Sequence, residues 1–253
     1  MKLSLTGCKT MKSPGSLPES PKLMPTYQQN QPPGSSSNSG TVAKLKLDKG
    51  GGGAVSVVGP PELGFVLDRS GSMASLAAEA VTGFNTLLGE QRAVSPSALF
   101  SLSLFDHEDS LLYDAVPLAE VPELTSSSYV PRGGTALNDA VAAMIRRLGR
   151  RAKRSTRVLI AILTDGSENA SREASQADLL SMIAYRRSTY DWQFVFIGPA
   201  DALDYALSIG IPKSNVVSFN ADPAGIRQIM LRLSKSMAAY QLGDRRYSLK
   251  LHN

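Results

Sequence analysis

From about residue 61 onward, short, predominantly apolar runs alternate with longer stretches whose apolar residues recur at helical spacing. The runs are 63–67, 99–105, 158–163, 194–197 and 216–219. Between them lie amphipathic segments. One carries Leu76, Ala80, Val81, Phe84, Leu87 and Leu88. A second carries Leu137, Val141, Met144, Ile145 and Leu148, with Gly149 as its expected stop. A third carries Ile226, Ile229, Met230, Leu233, Met237 and Tyr240. Strands this apolar must be covered on both faces, and alternation with helices implies parallel connections. Residues 111–118 read differently, as a short antiparallel edge strand that follows its neighbour through a hairpin. The pattern predicts one doubly wound α/β domain over 61–243. It has a mostly parallel central sheet, one antiparallel edge strand and helices on both faces, and the last ten residues, 244–253, form a C-terminal extension.

The first 60 residues are of another kind. They hold nine Gly, nine Ser and seven Pro but a single aromatic, Tyr27. Such a segment buries too little apolar surface to offset the entropy of ordering it, so 1–60 reads as a disordered tail. It carries seven Lys/Arg against two Asp/Glu, which accounts for the whole net charge of +5. The remaining 20 basic and 20 acidic residues of 61–253 balance, so the folded part lacks the overall positive charge of a nucleic-acid-binding domain. One cysteine excludes an internal disulfide, and two histidines with that cysteine exclude a zinc finger. No window reaches the roughly 18 apolar residues of a membrane helix. Leu5-Thr6-Gly7-Cys8 has the form of a lipoprotein cleavage box, but seven residues before Cys8 leave no room for an apolar leader core. The expectation is a cytoplasmic protein without a membrane partner.

In a doubly wound sheet, ligands collect at the carboxyl ends of the strands, so the residues following each run matter most. After the first run comes Asp68-Arg69-Ser70-Gly71-Ser72-Met73, and after 158–163 comes Thr164-Asp165-Gly166-Ser167. Arg132-Gly133-Gly134-Thr135 precedes the helix that opens near residue 136. Asp68, Ser70 and Ser72 alternate, which places three oxygens on one side of an extended segment. With Thr135 and Asp165 they make five oxygen donors and no nitrogen or sulfur. That set suits a hard divalent cation, Mg²⁺ or Mn²⁺, completed by water. Two carboxylates barely neutralise such an ion, which would accept a further carboxylate from a partner. The competing reading is that these side chains only cap helix starts.

Asp68-x-Ser70-x-Ser72, Thr135 and Thr164-Asp165-Gly166 resemble the metal-ion-dependent adhesion site of von Willebrand factor type A (VWA) domains. The resemblance covers roughly 61–240 with the motifs in family order. It implies that Ser70, Ser72 and Thr135 meet the metal through their hydroxyls and that Asp68 and Asp165 act directly or through water. Gly83-Phe84-Asn85, the segment Gly134-Thr135-Ala136-Leu137-Asn138-Asp139-Ala140, Glu168-Asn169-Ala170 and the segment at 192–198 are similar to the compact, intracellular bacterial branch. What this implies is a non-enzymatic interaction module that grips an Asp or Glu of a protein partner through the metal.

Other signals are weaker. Arg146, Arg147, Arg150, Arg151, Lys153, Arg154 and Arg157 put seven positive charges into twelve residues, on the face opposite the metal loops. They offer an anion-binding surface, and with it an alternative reading as a nucleic-acid-associated protein, although no aromatics are interleaved. They also suit a helix C-terminus. Asp106-His107-Glu108-Asp109 has metal-ligand residue types but falls where the hairpin must turn. Asp139 either supports the metal from behind or satisfies its own helix start. No phosphate loop, His-Glu-x-x-His or Gly-x-Ser-x-Gly occurs, and no general base is evident beside the metal. A metal-dependent phosphohydrolase is the remaining, less favoured alternative.

Overall fold

The computed structural model describes residues 59–243. The expected tail of 1–60, apart from its last two residues, and the expected extension of 244–253 lie outside the described residues. Six strands, β1 (Glu62–Asp68), β2 (Leu99–Phe105), β3 (Asp109–Pro117), β4 (Val158–Leu163), β5 (Gln193–Gly198) and β6 (Val216–Ser218), form one sheet in the order β3-β2-β1-β4-β5-β6. All neighbours are parallel except β2 and β3, which form the antiparallel edge hairpin. Among the described residues, five helices flank the sheet: α1 (Ala77–Val94), α2 (Leu137–Arg151), α3 (Gln176–Tyr190), α4 (Leu203–Ser208) and α5 (Pro223–Gln241). This is the Rossmann-like, doubly wound architecture that the alternating pattern predicts.

β1 is central, paired with β2 on one side and β4 on the other, and buried along its whole length. Its side chains alternate between two cores. Leu63, Phe65 and Leu67 face α1 and α5, where Phe65 stacks on Phe84 at 5.8 Å between ring centroids. Val66 faces α2 and α3. Each such fully buried side chain contributes about 1.5–3 kcal/mol. Gly64 has no side chain because α2 crosses there: a Cβ would sit 2.9 Å from Leu148 Cδ1.

Three details depart from the sequence reading. α2 runs through Gly149 to Arg151 instead of stopping there. The missing side chain makes room for Arg186 rather than ending the helix. α3 was not anticipated, because it buries only Leu179 and Ile183 and so shows little apolar periodicity. Its start is nonetheless written in Ser175 and Asp178, whose side chains form a reciprocal capping box. The segment before α1 is a 3₁₀ turn, Gly71–Leu76. The strand order reverses between β1 and β4, since the chain leaves β1 toward β2 and returns on the other side to β4. Ligands gather at such a switch point, and the loops following these two strands carry Asp68 and Asp165.

Candidate metal centre

Asp68 is the last residue of β1 and is fully buried. One carboxylate oxygen accepts the Ser70 N–H at 2.6 Å and the other accepts the Thr164 hydroxyl at 2.5 Å. The Tyr129 hydroxyl donates to the Asp68 main-chain carbonyl and fixes the end of the strand. Burial pushes the Asp68 carboxyl up to about 6 despite these hydrogen bonds, because among the described residues no cation offsets it. Burial likewise raises Asp165, against the Ser72 hydrogen bond.

The other three residues converge with these two. Ser70 Oγ lies 3.1 Å from Ser72 Oγ, and Ser72 Oγ donates to Asp165 Oδ1 at 2.7 Å. Gly166 locates Thr135: a Cβ there would lie 3.5 Å from Thr135 Oγ1 and 3.7 Å from Ser72 Oγ. The fold thus brings together all five residues singled out in the sequence. Metal–oxygen bonds of about 2.0–2.1 Å in an octahedron place adjacent ligand oxygens about 2.9 Å apart, a value that the two hydrogen-bonded separations, 3.1 and 2.7 Å, bracket as ordinary hydroxyl contacts also do. The donor set, all oxygen with two carboxylates, fits a hard cation.

Helix capping does not account for these side chains. Ser70 precedes the 3₁₀ turn but makes no side-chain capping bond, and α2 has Ala136 at its cap position. The first N–H groups of α2 are met from the opposite loop, Asn138 N–H by Glu168 Oε2 at 2.8 Å and Asp139 N–H by Ser171 Oγ at 3.1 Å. Asn169 Oδ1 accepts the Thr135 N–H at 2.8 Å. The loop after β4 therefore caps α2 and leaves the Thr135 hydroxyl without a hydrogen bond among the described residues. Asp139 returns the favour, accepting the N–H groups of Arg172, Glu173 and Ala174 at 2.7–2.9 Å. It holds the loop that carries Asp165, and its own helix start is not what it satisfies.

A second buried aspartate, Asp106, does more than the turn or metal-ligand roles read for it in the sequence. Asp106 opens the hairpin turn at 106–108, as expected of a turn residue, but its carboxylate also joins the two other loops of the site. Oδ2 accepts Arg69 Nε at 2.8 Å and Arg132 Nε at 2.9 Å, while Oδ1 accepts the Glu108 N–H at 2.9 Å. Arg69 lies between Asp68 and Ser70, and Arg132 lies three residues before Thr135. Burial alone would raise Asp106, but the Arg132 hydrogen bond, the Glu108 N–H and both guanidinium charges overcome it and hold the carboxyl below its usual range. The Asp106, His107 and Glu108 side chains lie close enough to share an ion. Their oxygens are already occupied, however, with Arg132 also pairing Glu108 at 2.8 Å.

The basic run divides in two. Arg151 binds Glu62 at 2.6 Å and Asp114 at 2.7 Å, Arg147 approaches Asp114 at 3.5 Å, and Arg157 donates to the Tyr240 carbonyl at 2.9 Å. These three fasten the lower end of the sheet. Arg146, Arg150, Lys153 and Arg154 are exposed.

No protein-family model matches the sequence, and no curated protein matches it. Solved structures do. The SpRpn10 VWA domain superimposes with a TM-score of 0.50 at 11% identity, over 69% of this chain and 95% of that one. A von Willebrand factor type A protein from Catenulispora acidiphila gives 0.50 at 18% identity, over 73% and 43%. The ArnB paralog VWA2 from Sulfolobus acidocaldarius gives 0.50 at 16% identity, over 70% and 44%. The fold is that of a VWA domain. The chain spans nearly all of the first of these structures and under half the length of the other two. Among its described residues, no helix is long and apolar enough to cross a membrane.

Proposed function

We propose that this VWA domain is a non-enzymatic interaction module of the intracellular type, spanning 61–243 between a basic tail and a short C-terminal extension. It binds Mg²⁺ or Mn²⁺ at Asp68, Ser70, Ser72, Thr135 and Asp165, and through the ion an Asp or Glu of a protein partner. One observation carries the reading: three hydroxyls and a carboxylate converge beside a buried aspartate, none of the hydroxyls is spent on capping a helix, and among the described residues no cation meets them. The bound ion would supply a Lewis-acidic position for an incoming carboxylate. The chain's own part is positional. Thr164 and the Ser70 N–H orient Asp68, the Asn169 and Glu168 side chains fix the Thr135 loop, and Asp106 ties that loop to Arg69.

Titration calorimetry with Mg²⁺ and Mn²⁺, followed by partner capture from native lysate in Mg²⁺ or in EDTA, tests the proposal. Wild type is expected to bind one ion and to lose its captured partners in EDTA, and Asp165→Ala is expected to lose both. Partners that persist in EDTA and in the variant would overturn the metal-bridge mechanism.

A further inference from the structure

The seven-charge run lacks aromatics in sequence, yet the fold brings them to it from α3 and from the residue just before β5. Arg186 of α3 lies against α2 at Gly149, where a Cβ would fall 1.9 Å from its Nη2. Its guanidinium carbon stands 5.7 Å from the Tyr185 ring centre, 5.0 Å from Tyr190 and 4.7 Å from Trp192. The rings brace one another edge to face, Tyr185 on Tyr190 at 5.7 Å and Tyr190 on the buried Trp192 at 6.5 Å. Arg146 and Arg150 flank Gly149 on α2, and Lys153 and Arg154 follow in the turn beyond it. The charge of Arg154 acts on Tyr185. Among the described residues, none of Arg146, Arg150, Lys153, Arg154 and Arg186 forms an ion pair.

We infer that this outer face of α2 and α3, centred on Arg186, is a binding surface for single-stranded nucleic acid. Four exposed cations beside a braced guanidinium match the repeating charge of a phosphate backbone. The decisive feature is Tyr185, which keeps 53% of its surface exposed although it is large and its inner neighbours are packed. An acidic peptide would need only the charges. A ring held rigid beside them offers a face on which an unpaired base can stack, and duplex bases cannot reach it. α2 begins at the metal loops and runs 15 residues, so its C-terminal cations lie about 20 Å away along the helix. The two ligands would not compete. This inference does not rest on the metal reading.

Fluorescence anisotropy of the full chain tests it, with labelled dT₂₀ and a 20-base-pair duplex at 50–200 mM KCl and polyglutamate as competitor. Arg150→Glu with Arg154→Glu is expected to weaken dT₂₀ binding at least tenfold and to flatten the log–log salt slope by about 1.4 for two lost cations. Arg227→Glu with Lys235→Glu changes net charge equally from α5, on the other side of the sheet, and is expected to change binding less than twofold. Tyr185→Ala is expected to weaken dT₂₀ about fivefold and leave the duplex unaffected. Equal binding by all variants would place any affinity in the basic N-terminal residues and overturn the inference. So would charge-dependent binding that Tyr185→Ala does not alter and polyglutamate displaces, which would mark an acidic protein as the ligand. All five substituted positions are exposed, and thermal unfolding verifies that each variant folds.

Discussion

Asp68 and Asp106 stand at the carboxyl ends of adjacent strands, and neither has any exposed surface. Asp106 receives two guanidinium groups and a main-chain N–H. Asp68 receives the Thr164 and Ser70 side chains and a main-chain N–H, and among the described residues the charge that acts on it is that of another carboxylate, Asp165. The physical outcome is opposite: the first carboxyl is held below its usual range and the second is pushed up to about 6. A buried acid that brings its own cations completes the architecture. One that lacks them leaves a charge to be met from outside, and here it lies among further oxygen donors.

The largest expected effect separates the two by sign. Asp106→Ala leaves Arg69, only 12% exposed, and Arg132 without their shared partner. Breaking a buried pair in this way costs about 3 kcal/mol, nearly all through Arg69, because Arg132 is half-exposed and water screens it. Asp68→Asn removes a charge that the fold holds at a cost, so in EDTA its stability is expected to equal or exceed wild type. Urea unfolding of both variants checks the pair. If both lost stability equally, the contrast would be refuted. In the same proteins Asp68→Asn is expected to weaken Mg²⁺ binding by about 100-fold, or about 2.7 kcal/mol at 1.36 kcal/mol per decade.

A smaller effect follows from pH. Between the unfolded value of about 3.8 and the folded value of about 6, folded Asp68 holds more proton than the unfolded chain. In EDTA its contribution to stability therefore falls as pH rises through this window, being fully present below it. Asp106 contributes in the opposite sense, keeping its stabilisation above the unfolded value and losing it only at lower pH. Asp109 and Asp165 are also raised by burial, so the difference between wild type and Asp68→Asn isolates Asp68. Bound Mg²⁺ favours the ionised carboxylates, so the rise in Tm on adding Mg²⁺ should be larger at pH 7.5 than at pH 4.5. Thermal scans at both pH values, with and without EDTA, measure it. A Mg²⁺ effect independent of pH would detach Asp68 from the ion.

The different legibility of the two aspartates has a physical basis. Asp68 announces itself because its companions Ser70 and Ser72 are local and because an apolar run ends at it. Asp106 pairs with residues 37 and 26 positions away, and nothing near it in the chain marks those contacts. The same rule covers the fold. β1, β4 and β5 were plain because burial on both faces makes them apolar, and α2 because its buried stripe is wide. α3 hides because the polar side chains and the exposed Tyr185 that it presents outward dilute its apolar face. The loops of the candidate site were legible as a set only because a parallel sheet must bring strand ends to one edge. That Glu168 and Ser171, rather than Ser70 or Thr135, would cap α2 could not be read, since it depends on how two loops cross.

Thr135 sets the smallest effect and the finest test of what that crossing accomplishes. Its main-chain N–H is held by Asn169, and its carbonyl accepts the Asn169 and Ala170 N–H groups at 3.0 and 3.2 Å. Its hydroxyl does none of this work. Thr135→Val keeps the shape and every one of those hydrogen bonds, and it deletes an oxygen that has no partner among the described residues. Stability in EDTA should change by less than about 0.5 kcal/mol, because a hydroxyl without a partner in the fold gives the fold nothing to lose. Mg²⁺ affinity should fall about tenfold, the loss of one neutral ligand out of five, about 1.4 kcal/mol. Calorimetry and unfolding on one preparation read both numbers. A variant that binds Mg²⁺ as wild type does would take Thr135 out of the centre. One that unfolds early would show that the hydroxyl serves the fold after all, as Asp106 does.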